Sequence, residues 1–166
     1  MTTIHKIKEL LEQKKISTIE ITQEILNRLD SNPFGATLCV NREASMLEAK
    51  NSQKRLDTGE RADLLGIPVM HKDVLVTKEW LTTAGSKFLK NYKSPFDASV
   101  VEKLKDVGMI CLGKTSCDEF AMGSANQNCA YNDCSNPWDQ SCIPGGSSGG
   151  SAAVVAADIV PAATGT

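Results

Sequence analysis

Two stretches of this 166-residue chain place reactive side chains where ordinary folding does not require them. The first is "HKD", His71-Lys72-Asp73, set between the apolar runs "LLGIPVM" and "VLVT". Burying an ammonium or a carboxylate is costly unless the group is paired or used. A lysine desolvated there, or crowded by other cations, would hold a neutral amine able to act as a base. On the tripeptide alone, a strand-end lysine reaching solvent, with Asp73 helping to cap a turn, is the simpler reading. His71 has no second histidine nearby and reads as a packed or surface residue rather than a ligand.

The second stretch is "IPGGSSGGSAAVVAAD", Ile143 to Asp158, which holds only glycine and serine from Gly145 to Ser151. A flexible linker is excluded, because the helix-like apolar run "SAAVVAAD" follows directly. A phosphate loop is excluded too: the pattern G-x-x-x-x-G-K-[ST] fits Gly145 and Gly150, but Ser151 stands where lysine is required. The dinucleotide-binding glycine spacing is also absent. What survives is a set of glycines that permit unusual backbone angles beside serine hydroxyls at a helix N-terminus. That is a setting for nucleophilic catalysis. One of the two central serines is expected to serve as the helix cap, and Ser148 is assigned that role.

The rest of the composition narrows the class. With 18 basic and 20 acidic residues, the net charge is -2, without the basic footprint of an electrostatic nucleic-acid binder. An apolar share of 41% and a charged share of 23% fit a folded globular protein of one domain. No 18-residue apolar run exists, so no membrane partner is expected. The N-terminus "MTTIHKIKELLEQKK" is charged and helical and lacks a signal-peptide core. The expected location is the cytoplasm of a bacterial-type cell, or an organelle matrix with any transit peptide absent. Six cysteines, Cys39, Cys111, Cys117, Cys129, Cys134 and Cys142, form no CxxC pair and accompany only two histidines. No metal site is expected from them; they read as reduced and mostly buried thiols.

The elements that must position these residues follow an α/β order. Ile4, Ile7, Leu10 and Leu11 form a helical stripe, and a second helix opens at Ser17 with Glu20 three residues on as a capping box. Its apolar face is Ile21, Ile25 and Leu29. "ATLCV", Ala36 to Val40, reads as a buried strand, followed by the charged helical run "NREASMLEAKNSQKRLD". "LLGIPVMHKDVLVT" reads as two short apolar, strand-like runs split by His71-Lys72-Asp73. A helix over Ser99 to Val107 leads into the strand "MICLG", Met109 to Gly113. The alternation predicts a covered, at least partly parallel sheet. No internal repeat and no domain boundary are visible.

Taken together and in order, "GIPVMHKD", "GKTSCDEFAMGSANQN", "NPWD" and "PGGSSGGSAAVVAA" resemble the amidase signature family across essentially the whole chain. "DEFAMGS" followed by "NPWD" tilts the resemblance toward the A-subunit branch of the Glu-tRNA(Gln)/Asp-tRNA(Asn) amidotransferases. It implies an amidase-signature α/β fold, a mixed, largely parallel sheet covered by helices and preceded by N-terminal helices. Residues 1–166 would be the N-terminal part of a single amidase domain. It also implies a Ser-Ser-Lys triad, with Lys72 as the base and Ser147 as the bridging serine after a cis peptide bond that Gly146 makes sterically easier. The backbone of Met122, Gly123 and Ser124 resembles a segment lining a glutamine pocket, although Met122 also reads as a core gap-filler.

The nucleophilic serine of the family lies in a "DTGGS" motif. Here "ATGT", Ala163 to Thr166, resembles the approach to it, so the chain of 166 residues is expected to be inactive by itself. In the complete form, glutamine would be hydrolysed to glutamate and ammonia. A partner B subunit would use ATP and Mg²⁺ to activate misacylated tRNA, and a C subunit would tie A and B together. No cofactor is expected in this chain itself. A stand-alone amidase and a non-catalytic short product are the alternative readings. Two departures from the family pattern stand out: Val74 replaces an asparagine, and Asp158 occupies a helix end where glycine is usual.

Overall fold

The computed structural model describes residues 3–166. The chain begins with two capped helices. In α1 (Ile4–Glu12) the Thr3 hydroxyl accepts the Lys6 N–H at 3.2 Å. Met1 and Thr2 of the N-terminal helical reading lie outside the described residues. In α2 (Thr18–Asp30) Ser17 and Glu20 form the expected capping box, so the Ser17 and Glu20 N–H groups each find a side-chain oxygen. The apolar stripe of α2, Ile21, Ile25, Leu26 and Leu29, is buried in the core.

Strand β1 (Thr37–Val40) then leads to α3 (Arg42–Asp57), and β2 (Pro68–Lys72) follows. A long irregular excursion ends in α4 (Ser99–Asp106), which feeds β3 (Ile110–Thr115), and α5 (Gly149–Ala156) comes last. The sheet order is β1-β3-β2, with β2 parallel and β1 antiparallel to the central β3. Helix α3 is tied to β3 by Ser45, whose hydroxyl donates to the Cys111 carbonyl at 2.8 Å. Thr18 ties α2 to α3 through the Ala49 carbonyl at 2.6 Å.

Three expectations shift in the structure. The strand expected over Met109 to Gly113 runs on to Thr115 and carries Lys114 with it. His71 and Lys72 do not split two strands; they are the last residues of β2. The run after Asp73 forms no strand, for a visible reason. Lys72 pairs with Thr115, the final residue of β3, so beyond Asp73 the ladder has no partner left. In place of the buried strand expected over Ala36 to Val40, β1 is a half-buried edge strand, paired on one side alone.

Helix α5 ends close to Asp158, the residue that departs from the family's usual glycine. Asp158 has φ +56°, the left-handed conformation that glycine adopts freely. Beyond it the Ile159 and Val160 N–H groups both return to the Val154 carbonyl, at 3.1 and 3.2 Å. All six cysteines are free thiols; Cys111, Cys117 and Cys134 are buried, Cys39 and Cys129 half-buried, and Cys142 exposed. Among the described residues no helix is long and apolar enough to cross a membrane.

Candidate active site

The last two residues of β2 point to opposite faces of the sheet, as strand alternation requires. His71 pairs with Lys114 and Lys72 with Thr115. The Lys72 and Thr115 face receives α5: the hydroxyls of Thr115 and Ser151 lie 2.6 Å apart, and Ser151 donates on to the Thr164 carbonyl at 2.7 Å. This chain of contacts ties strand, helix and the 163–166 segment into one unit. Thr164 returns to the strand, its hydroxyl accepting the Lys72 N–H at 3.1 Å.

Lys72 is fully buried, which excludes the solvent-reaching reading. Its Nζ lies 2.7 Å from Ser147 Oγ and 2.6 Å from Thr166 Oγ1. Both partners are hydroxyls that can donate as well as accept, so a neutral amine is accommodated here. Burial pushes the Lys72 amine below the usual lysine range, opposed by the nearby Cys117 and Asp118. A buried, neutral-leaning amine in contact with a serine hydroxyl is an arrangement able to take a proton from it.

The Gly146–Ser147 peptide bond is cis. The segment sits against a carboxylate to which the sequence reading gave no role. Asp118 is fully buried; its oxygens accept the N–H groups of Asn126 and Asn128 at 3.0 and 3.3 Å, and its own N–H donates to the Ser147 carbonyl at 3.2 Å. A Cβ on Gly146 would strike the Asp118 carboxylate and the Asn126 backbone, so the closeness of this approach requires glycine. Asp118 thereby joins the Ser147 loop to the 119–128 loop. In that second loop Phe120, Ala121 and Asn126 all hold positive φ, near +55°, a conformation non-glycine residues keep when their surroundings enforce it.

Met122, Gly123 and Ser124 lie on this second loop and are exposed. Met122 is 78% exposed, which removes the core gap-filler reading. Ser148 occupies the N-cap position of α5 without capping through its side chain. Its φ and ψ of -99° and 33° are not the extended values that aim a cap hydroxyl at the first turn. The hydroxyl instead accepts the Thr166 N–H at 3.2 Å, while the Gly150 N–H is taken by the Ser116 carbonyl at 3.2 Å. The structure thus gathers Lys72, Gly146, Ser147 and Ser148 at one place and sets Met122 to Ser124 on the adjoining loop. Sequence reasoning missed Asp118, Thr166 and Lys114. The signal for Lys114 and Asp118 was that they flank the small residues of "KTSCD" at the end of an apolar strand; Thr166 carried no such signal.

On the opposite face His71 is buried, its Nδ1 3.3 Å from Thr164 Oγ1. Burial, aided by Lys114, pushes its imidazole down to about 4, so it is a neutral packing residue at ordinary pH. Together with Glu48, Trp80, Val101 and Cys111 it lines a small cavity of about 20 Å³. Glu48 Oε2 accepts the Cys111 N–H there at 2.7 Å, and burial pushes its carboxyl up to about 7.

Comparison with known proteins places this geometry in a family. The chain is 49% identical over 164 residues to the A subunit of glutamyl-tRNA(Gln) amidotransferase from Janthinobacterium sp. (strain Marseille), covering 99% of this chain and 34% of that one. It is similar in structure to the A subunit of the same amidotransferase from Thermotoga maritima, with a TM-score of 0.78 and 37% identity over 99% of this chain and 34% of that one. It is also similar to the native peptide amidase of Stenotrophomonas maltophilia, with a TM-score of 0.89 and 31% identity over 98% of this chain and 35% of that one. The chain spans about a third of the length of these relatives. Residues 20–166 match the family model named Amidase, and the chain belongs to the amidase family.

Proposed function

We propose that these residues form the base-and-relay half of an amidase that releases ammonia from glutamine for tRNA-dependent amidation. The observation that carries this reading is the 2.7 Å contact between a buried Lys72 amine and Ser147, which stand 75 residues apart in sequence. Neutral Lys72 takes the Ser147 proton as Ser147 accepts one from the attacking serine. In the reverse sense the pair returns a proton to the leaving ammonia. In this reading the attacking serine is a third group besides this pair, and residues 1–166 alone are expected not to hydrolyse amides. The exposed backbone of Met122 to Ser124 lines the side of the site where glutamine enters. Released ammonia passes to a B subunit, which uses ATP and Mg²⁺ to activate the glutamyl or aspartyl group on misacylated tRNA, with a C subunit joining the two. The enzyme is expected to work in the cytoplasm.

The 49% identity to the glutamyl-tRNA(Gln) amidotransferase chain supports this reading. The likeness to a peptide amidase at a TM-score of 0.89 favours a second one, an amidase acting alone on small amides. Ammonia release by the full-length gene product separates them. Hydrolysis of glutamine that rises when the B and C partners and misacylated tRNA are added supports the first reading. Hydrolysis of simple amides, indifferent to those additions, supports the second.

A further inference from the structure

Lys114 is as fully buried as Lys72, yet it stands on the other face of the sheet and its surroundings are of a different kind. Its Nζ donates to the Leu75 carbonyl at 2.6 Å, to Thr82 Oγ1 at 3.0 Å and to Thr77 Oγ1 at 3.3 Å, and lies 3.8 Å from Asp73 Oδ1. Asp73 is buried as well. Its Oδ2 accepts the N–H groups of Thr83 and Gly85 at 3.0 and 3.3 Å and the Thr83 hydroxyl. The Asp73 N–H donates to the Thr115 carbonyl at 3.1 Å, and its carbonyl accepts the Ala84 N–H at 3.2 Å. Burial pushes the Asp73 carboxyl up and the Lys114 amine down, while the charge of each opposes the shift of the other and the donors gathered on Asp73 favour its carboxylate. The Lys114–Asp73 pair and the Asp73 bond to Thr115 join the ends of β2 and β3, and the other contacts fasten residues 75–85, a segment without strand or helix, to those ends.

Replacing a buried ion pair by apolar groups is often neutral or stabilising, so stability alone is a weak reason to hold two buried charges here. Their place in the chain supplies another. Asp73 follows Lys72 directly, and Lys114 precedes Thr115, the register partner of Lys72. We propose that the Lys114–Asp73 pair is a positioning device that clamps the end of β2 from behind the sheet and holds the Lys72 amine within reach of Ser147. The proposal rests on the reading of Lys72 as the base. Displacing a reacting group by about 1 Å costs on the order of 100-fold in rate, and a clamp one residue away from Lys72 controls displacements of that size.

The test uses the full-length gene product with glutamine as substrate and ammonia release as the readout, across pH. Lys114→Met is expected to lower kcat at least tenfold, to leave KM for glutamine within threefold, and to move the acid limb of the kcat profile to higher pH as solvent reaches Lys72. The titratable groups near Lys72 are Cys117 and Asp118, and those near Lys114 are Asp73, His71, Cys39, Cys111 and Cys117. The double variant Asp73→Asn with Lys114→Met removes both charges and so leaves no unpaired charge buried; it is expected to show the same loss of kcat and the same shift of the limb. Thr82→Val, which removes one acceptor hydroxyl at nearly constant shape, is expected to shift the limb in the same direction by less. Unchanged kcat and an unchanged acid limb in the double variant and in Thr82→Val overturn the proposal. Lys72→Ala in parallel separates the two levels: retained activity there sinks the base reading itself, whereas loss there with unaltered clamp variants sinks the clamp alone.

Discussion

At the scale of single residues, the proposed site pairs one amine with one hydroxyl 2.7 Å away, and losses at groups that act as a unit are not additive. Lys72→Ala and Ser147→Ala are each expected to lower the kcat for glutamine hydrolysis of the full-length gene product by about 10³-fold, with the double variant no worse than the more damaging single. Additive losses would instead mean that each side chain contributes separately, through binding rather than proton relay. The lysine was legible in the sequence as an oddity, because a charge between apolar runs has few ordinary explanations. Ser147 was legible as its partner through the family resemblance, and Thr166 was not. Asp118 and Lys114 were given no role, since the groups that satisfy them come from distant or irregular backbone; Leu75 and Thr82 lie 39 and 32 residues from Lys114.

Elements show where local signals sufficed and where they failed. Ser17 and Glu20 announced α2, and the apolar runs announced β2 and β3. The end of β2 could not be read, because it is set by where its neighbour stops rather than by its own residues. Two groups facing the cavity between β2, α3 and α4 make opposite contributions to stability. Glu48, raised to about 7 from an ordinary 4.5, stays protonated in the fold while the unfolded chain loses its proton, so its contribution falls as pH rises through that window. His71, lowered to about 4 from an ordinary 6.5, stays neutral in the fold while the unfolded chain binds a proton, so its contribution rises between those values. The two oppose each other between about 4.5 and 6.5. Denaturant unfolding at a series of pH values is expected to show stability rising more steeply with pH in Glu48→Gln and falling with pH in His71→Asn. Parallel profiles for the two variants would contradict the assignment. At the end of α5, Asp158→Gly relieves the left-handed backbone and is expected to stabilise by about 0.5–1 kcal/mol, read as a raised denaturation midpoint. A lowered midpoint would show that the contacts of the Asp158 side chain outweigh the backbone term.

For the molecule as a whole, the α/β order was legible because alternating apolar runs and charged helices leave few other arrangements. The surface was less so, since nothing in "NPWD" or "SKFLK" marks its aromatic residue as solvent-facing. Trp138 and Phe88 are 84% and 88% exposed, and Phe96 and Met122 are also exposed. Residues 1–166 produced alone are therefore expected to self-associate at micromolar concentration, and Trp138→Ser with Phe88→Ser to shift them toward monomer in light scattering. A monodisperse monomer at all concentrations would refute this. The separation in sequence between Lys72 and its partners has a further consequence, in time rather than in space. Ser147 and Thr166 lie 75 and 94 residues beyond Lys72, so on the ribosome the strand that carries the amine emerges long before anything can cover it. Closing loops of that size is a late event in folding. Until it happens, Lys72 is an ordinary solvated ammonium, protonated at neutral pH. Docking lowers the proton affinity of this one side chain and so frees its lone pair at neutral pH, and its loss of accessibility to an acylating reagent on stalled nascent chains would time that step.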